Sequence, residues 1–238
     1  MSSDIPLRER ILWNADRMVE RLNTQVVDEP AVRATLRRAM GKEVTDPVVL
    51  PVHGFVTPYL PDLSEKSEPH ERYRFPEAAV ERAFYTVAAL IAGQTRQARD
   101  QGTGDEINST EGGAPAADAS GEKSERSRRK RRLNLGATLG KAVTKDLLNA
   151  DTTEGRLHML CRQSLEGAHK QLPLLALHLR GREMPIDWGL LTLDLARWGG
   201  DRDAVAKEWV QGYHRVIQAQ DRARQSKSQN TDDDKDGA

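Results

Sequence analysis

Residues 135–143 read LGATLGKAV, 152–167 TTEGRLHMLCRQSLEG, 172–181 LPLLALHLRG and 184–200 MPIDWGLLTLDLARWGG. This stretch, from Asn134 to Gly200, decides the fold, because nearly every start and stop in it carries a helix signal. Asp151 with Glu154 three residues on has capping-box spacing ahead of an apolar-periodic run. Pro173 directly after Leu172 suits a first helical turn, and Gly181 can take the left-handed conformation that ends a helix. Asp187 caps the next predicted helix, Gly199–Gly200 closes it, and Asp201 caps a last long one. Leu135, Leu139, Val143 and Leu147 line the first of these helices, and Leu157, Leu160–Cys161 and Leu165 the second. Leu172, Leu175 and Leu179 line a short third, and Trp188, Leu191, Leu195 and Trp198 the fourth. Val205, Trp209, Tyr213 and Val216–Ile217 line the fifth. Apolar-striped helices on short connections predict an antiparallel bundle over residues 133–224.

Upstream, residues 1–95 read as a second helical domain. A first helix from Pro6 to Leu22 places Leu7, Ile11, Ala15, Met18 and Leu22 on one face, with Asp4 as cap. A second, from Pro30 to Met40, takes Asp28 as cap and Gly41 as stop. A third follows Phe75–Pro76 and carries Val80, Phe84, Val87–Ala88 and Ile91. Between them, 46–63 (DPVVLPVHGFVTPYLPDL) holds four prolines, which predicts a packed irregular segment in which His53 is a packed side chain. Residues 96–132 are Gly, Ser, Ala, Thr, Asp and Glu without an apolar repeat and end in RSRRKRR, the pattern of a disordered linker. Residues 225–238 read as a disordered acidic tail. The expected architecture is all-α: two small helical bundles joined by a long disordered linker.

The totals narrow the function. Mean hydropathy is −0.68, polar enough that part of the 238-residue chain is expected to be unpacked. No apolar run is long enough to span a bilayer and MSSDIPLRER lacks a signal-peptide core, so the expected location is cytoplasmic with no membrane partner. Cys161 is the single cysteine and reads as a small packed hydrophobe. There is no Gly-rich phosphate loop, no CxxC and no HExxH, and the histidines are scattered. Hence no catalytic residue, metal or cofactor is expected, and a binding or scaffolding role is favoured. Lys plus Arg and Asp plus Glu both number 36. Bulk charge therefore does not argue for nucleic acid, and only the placement of charges can.

Arg33/Arg37 and Arg38/Lys42 form two stripes of like charge at i,i+4 spacing, each costing about 0.2–0.5 kcal/mol in an isolated helix. They read either as a solvated face or as a phosphate-binding ridge. Arg72, Arg74 and Arg82 sit at a helix start, where the dipole disfavours cations. Arg180 and Arg182 sit at a predicted helix end, where it favours them. RSRRKRR is a solvated linker end or a flexible basic arm. Arg197 and Arg202 can pair with Asp194, Asp201 or Asp203.

Three segments carry a resemblance: Leu139-Gly140-Lys141-Ala142; Arg156-Leu157-His158-Met159-Leu160-Cys161-Arg162; and Ile186-Asp187-Trp188 followed by Leu195-Ala196-Arg197-Trp198-Gly199. They resemble the Leu-Gly-(Arg/Lys)-Ala, Arg-bounded apolar and (Leu/Ile)-Asp-Trp … Trp-Gly elements of the CasB family, the small subunit of the type I-E CRISPR Cascade complex. Leu36-Arg37-Arg38-Ala39 resembles that family's N-terminal Arg-Arg element. The resemblance covers about residues 135–215 and, more loosely, 30–92.

It implies an all-α, non-catalytic protein, with two copies side by side in a guide-RNA-bearing surveillance complex of antiviral defence. The implied partners are the other Cascade subunits (backbone and large), a second copy, the guide RNA complex, and the target and displaced DNA strands. The implied action is sequence-independent contact through a basic face that stabilises the R-loop. The candidate strand-binding residues are Arg37, Arg38, Lys141, Arg156, Arg162 and Lys170, with Arg180, Arg182, Arg197 and Arg202 beside them. The alternatives are a stand-alone helical nucleic-acid-binding protein and a scaffold whose basic faces meet acidic partners.

Overall fold

Apolar residues three and four apart give helix α1 (Leu7–Asp28) one dry side, on which Leu7, Ile11, Ala15, Met18 and Leu22 are buried. The computed structural model describes residues 5–63, 69–94, 132–180 and 184–233. Among these all regular structure is helical: α2 (Pro30–Arg38), α3 (His53–Val56), α4 (Pro69–Arg74), α5 (Glu77–Ala92), α6 (Leu135–Thr144), α7 (Ala150–Cys161), α8 (Leu165–Arg180) and α9 (Trp188–Asp233). The all-α expectation holds. The predicted linker lies outside the described residues except for its last member, Arg132.

The proline-rich segment is less irregular than expected. Asp46 accepts a hydrogen bond from the Val48 amide (2.9 Å) and starts a 3-10 turn over Pro47–Val52. That turn leads into α3 and a second 3-10 turn, Thr57–Tyr59. Prolines suit first turns, and Pro47 and Pro58 occupy them here, while Pro51 lies inside the first 3-10 turn. His53 packs edge-on against Tyr85 and shares a hydrogen bond with its hydroxyl. α5 is the central element: from Ala83 to Ala92 every side chain is buried, as befits a stretch without a charged residue. α1, α2, α8 and α9 surround it.

Several helix limits differ from the sequence reading. Asn149, not Asp151, caps α7, accepting from the Thr152 amide at 3.0 Å. Glu29, not Asp28, occupies the α2 N-cap position and makes no side-chain cap bond. α8 starts at Leu165, so Pro173 lies inside it rather than in a first turn. α4 has no counterpart among the expected helices. α9 continues to Asp233 rather than ending near Arg224. Asp4 and Gly181 lie outside the described residues.

α9 contains the fold's sharpest feature. Asp201 leaves helical geometry (φ −140°, ψ 41°), and the two arms on either side of it fold back on each other. In a straight helix Trp198 and Trp209 would be about 16 Å apart along the axis; their ring centroids are 4.9 Å apart. The sequence reading of two helices meeting at Gly199–Gly200 therefore holds in substance. The first arm packs against α1 and α5, and the second against α6, so the buried residues of both halves form one continuous cluster.

α6 approaches the second arm closely because Gly136 and Gly140 face it. A Cβ on Gly136 would lie 1.8 Å from the Trp209 carbonyl oxygen, and one on Gly140 2.8 Å from that of Tyr213. Asn134 caps α6 through the Ala137 amide (2.9 Å) and also donates to the Glu208 carbonyl (3.0 Å).

Candidate nucleic-acid interface

The ten candidate cations separate into distinct environments. Arg37 and Arg38 are exposed at the end of α2, Lys141 on α6, Arg156 on α7 and Arg162 just after it. Within the described residues none of these five side chains has an ion-pair or hydrogen-bond partner. Arg156 and Met159 (55% exposed) on α7 and Arg162 at its C-cap stand at successive i+3 steps along the chain, all three exposed. Lys170 is exposed but engaged by Glu166 one turn before it, which holds the Glu166 carboxyl below its ordinary range. Arg202 donates twice to its neighbour Asp203 (2.9 and 2.8 Å). Arg180 ends α8, and Arg182 lies outside the described residues.

Arg197 is a correction. It is 4% exposed, and its guanidinium donates to Glu208 (2.8 and 3.0 Å) on the other arm and to Asp201 (3.4 Å) at the break. A phosphate cannot reach it. Burial opposes its charge, but the Glu208 bonds outweigh that and keep it protonated. Arg197 is the strut of the α9 elbow. Arg74 holds the same Asp201 carboxylate from outside at 2.8 Å; burial alone would raise that carboxyl, and the two arginines lower it. Asp201 was expected to cap the second arm, but among the described hydrogen bonds its side chain takes none from that arm's amides, and its Oδ2 is shared by the two arginines.

Arg132, last of the RSRRKRR run, is also occupied. It donates to both Asp16 oxygens (2.8 and 2.9 Å) and to Asp187, there at 2.6 Å from Nε. Asp187 in turn caps α9 through the Leu190 amide (2.8 Å). The guanidinium pKa rises because these bonds outweigh the burial that opposes its charge. One arginine thus ties the start of the second half to α1 and α9. No local pattern in the sequence signals this, because the two acids lie far from Arg132 along the chain.

Arg82 organises the seam between α2, α5 and α8. It pairs with Glu43 at 2.7 Å, and its charge also acts on Glu166 and His169 of α8. Beside it Thr86 and His169 share a 2.7 Å hydrogen bond. Burial, aided by Arg82, pushes His169 down to about 3, so it is a neutral packing residue and not a phosphate ligand. The end of α2 and the start of α8 therefore flank one arginine, and the acids at this seam, Glu43 and Glu166, are both engaged. Cys161, as expected, packs; burial pushes its thiol up to about 11.

Asp194 is buried under the elbow, where it accepts a 2.6 Å bond from the Trp209 indole. Burial outweighs that bond and pushes its carboxyl up to about 7 from 3.8. Between about pH 4 and 7 the folded chain thus holds a proton that the unfolded chain has lost, and this residue makes stability fall as pH rises through that window. Asp194→Asn is expected to remove that contribution. Urea midpoints of wild type relative to variant should decline from pH 4 to 7; a constant difference would refute the assignment.

Fold and surface together define a class: an all-α protein on which Arg37, Arg38, Lys141, Arg156 and Arg162 stand outward without partners among the described residues. Residues 32–214 match the family described as CRISPR-associated protein Cse2 (CRISPR_cse2). The chain belongs to this family, the CasB small-subunit family that the sequence resembles. Two solved structures are similar, one described as "CRISPR RNA-guided surveillance complex" and one as "CRISPR RNA-guided surveillance complex, pre-nicking". Each is 42% identical with TM-score 0.69, over 90% of this chain and 99% of the matched chain. No curated protein matches. No described helix is long and apolar enough to cross a membrane.

Proposed function

We propose that this chain is the non-catalytic small subunit of a type I-E CRISPR Cascade complex and holds DNA strands without reading their sequence. It assembles in the cytoplasm with the backbone and large subunits, a second copy of itself and the guide RNA. The observation that carries the reading is the contrast in pairing. Arg37, Arg38, Lys141, Arg156 and Arg162 stand outward without acidic partners among the described residues, while the acids of the α2–α8 seam are neutralised by Arg82 and Lys170. Arg180, at the end of α8, and Arg182, two residues on in the sequence, are the secondary candidates; Lys170 and Arg202 contribute less because each already has a carboxylate.

R-loop formation exchanges one duplex for another of similar stability, so modest backbone contacts tip it. Phosphate neutralisation releases counterions and is blind to sequence, which suits a system whose guide supplies specificity. The alternative of a stand-alone nucleic-acid-binding or scaffold protein makes a different expectation. Coexpressed with the other subunits and guide RNA, this chain should copurify with the particle. Alone it should bind duplex only in the non-specific range, about 10⁻⁴–10⁻⁶ M at physiological salt. Nanomolar binding by the isolated chain, without recruitment to the particle, would favour the stand-alone reading.

A further inference from the structure

Glu154 and His158 stand one turn apart on α7, and His214 reaches them from the second arm of α9. Glu154 Oε1 lies 3.9 Å from His158 Nε2 and 3.7 Å from His214 Nε2. All three donor atoms fall within 4.8 Å of one another. In a tetrahedral zinc site, with bonds of about 2.0–2.1 Å to nitrogen and oxygen, neighbouring donors sit about 3.3 Å apart. The separations from Glu154 to the two imidazoles therefore need closing by only a few tenths of an ångström, within the reach of side-chain torsions.

The surroundings favour a cation. Among the described residues Glu154 has no lysine or arginine partner; its ion-pair contacts are these two imidazoles. The three side chains are 39–43% exposed, so an ion can enter from solvent.

The support is also firm. Tyr213 donates to the Ala150 carbonyl at 3.3 Å, and the Cys161 thiol faces the Ala206 carbonyl at 3.8 Å. α7 and the second arm of α9 are thus joined at both ends of α7, with the cluster between. His214 stacks edge-on against Tyr213, ring centroids 5.3 Å apart. Donors on two helices held this way are preorganised.

We propose that Glu154, His158 and His214 form a site for a divalent transition-metal ion of the zinc type. Two imidazoles and a carboxylate are a donor set that zinc accepts, with water or an outside ligand in the fourth position. The ion clamps α7 to α9 and so fixes the helix that presents Arg156 and Arg162. The site uses none of the strand-holding cations and stands or falls apart from that reading.

The test uses the full-length, tag-free chain. Zinc chloride is titrated by calorimetry and Co²⁺ by visible absorption, with His214→Ala and Glu154→Gln as variants. The expected result is about one Zn²⁺ per chain, a tetrahedral Co²⁺ band, and affinity at least about tenfold weaker in both variants. Saturating Zn²⁺ should raise the wild-type melting midpoint by about 5 °C or more, and neither variant's. Both side chains lie at the surface, so the metal-free variants should melt close to wild type. Absence of Zn²⁺ binding, or binding as tight in both variants as in wild type, would overturn the proposal and leave a histidine–carboxylate ion pair only.

Discussion

Gly136→Ala is expected to lower the melting midpoint by about 6–12 °C, although helix propensity alone predicts the opposite. In an exposed helix, alanine is about 1 kcal/mol better than glycine. On α6 the new Cβ would lie 1.8 Å from the Trp209 carbonyl oxygen and 2.5 Å from its carbon, both backbone atoms. Backbone cannot swing aside as a side-chain tip can, so α6 and α9 must separate. Overpacking of this kind costs about 1–3 kcal/mol, and against two rigid backbones the upper end, about 3 kcal/mol, applies. A chain of this size loses about 2–4 °C per kcal/mol. Gly155→Ala is the control: nothing lies within 4 Å of its added Cβ, so it should gain a few tenths to 1 kcal/mol. Thermal denaturation followed by circular dichroism checks both. A Gly136→Ala midpoint at or above wild type would refute the close α6–α9 approach.

What could be read from the chain followed the reach of local physics. The apolar stripes of α1, α5, α6 and both arms of α9 were legible because a 3.6-residue period acts within one helix. Asp187 as cap and Trp188, Leu191, Leu195 and Trp198 as core were legible for the same reason. Caps are harder where two candidates lie close together: Asn149 and Asp151 are both capping residue types, and Asn149 takes the bond. Pro173 suits a first turn, yet α8 begins eight residues earlier and tolerates it inside.

Pairing between distant residues was the least legible. Arg132 with Asp16 and Asp187, Arg74 with Asp201, and Arg82 with Glu43 each join separate elements. A sequence shows these as spare charge. Arg197 illustrates the cost of that blindness: its motif position resembles the rest of the set, but the elbow turns it inward onto Glu208. The same holds for Glu154, His158 and His214, where the i,i+4 pair is local and the third donor comes from another helix.

Strand holding carries the largest functional expectation. Arg37, Arg38 and Arg162 are exposed, and no described residue pairs with their side chains. Reversing all three to Glu should leave the fold intact, since surface changes away from packing and networks seldom exceed about 0.5 kcal/mol each. Each phosphate that is no longer neutralised should reduce the slope of log affinity against log salt by about 0.7–0.9. The most direct measurement is target-DNA affinity of the assembled complex across a salt series, with wild-type or triple-variant subunit and with the melting curve of each subunit as control. Affinity at about 0.15 M salt should fall by about a hundredfold and the slope should shrink by about 2–3, at unchanged melting. Equal affinity and equal slope from a folded, incorporated variant would contradict strand holding by these arginines.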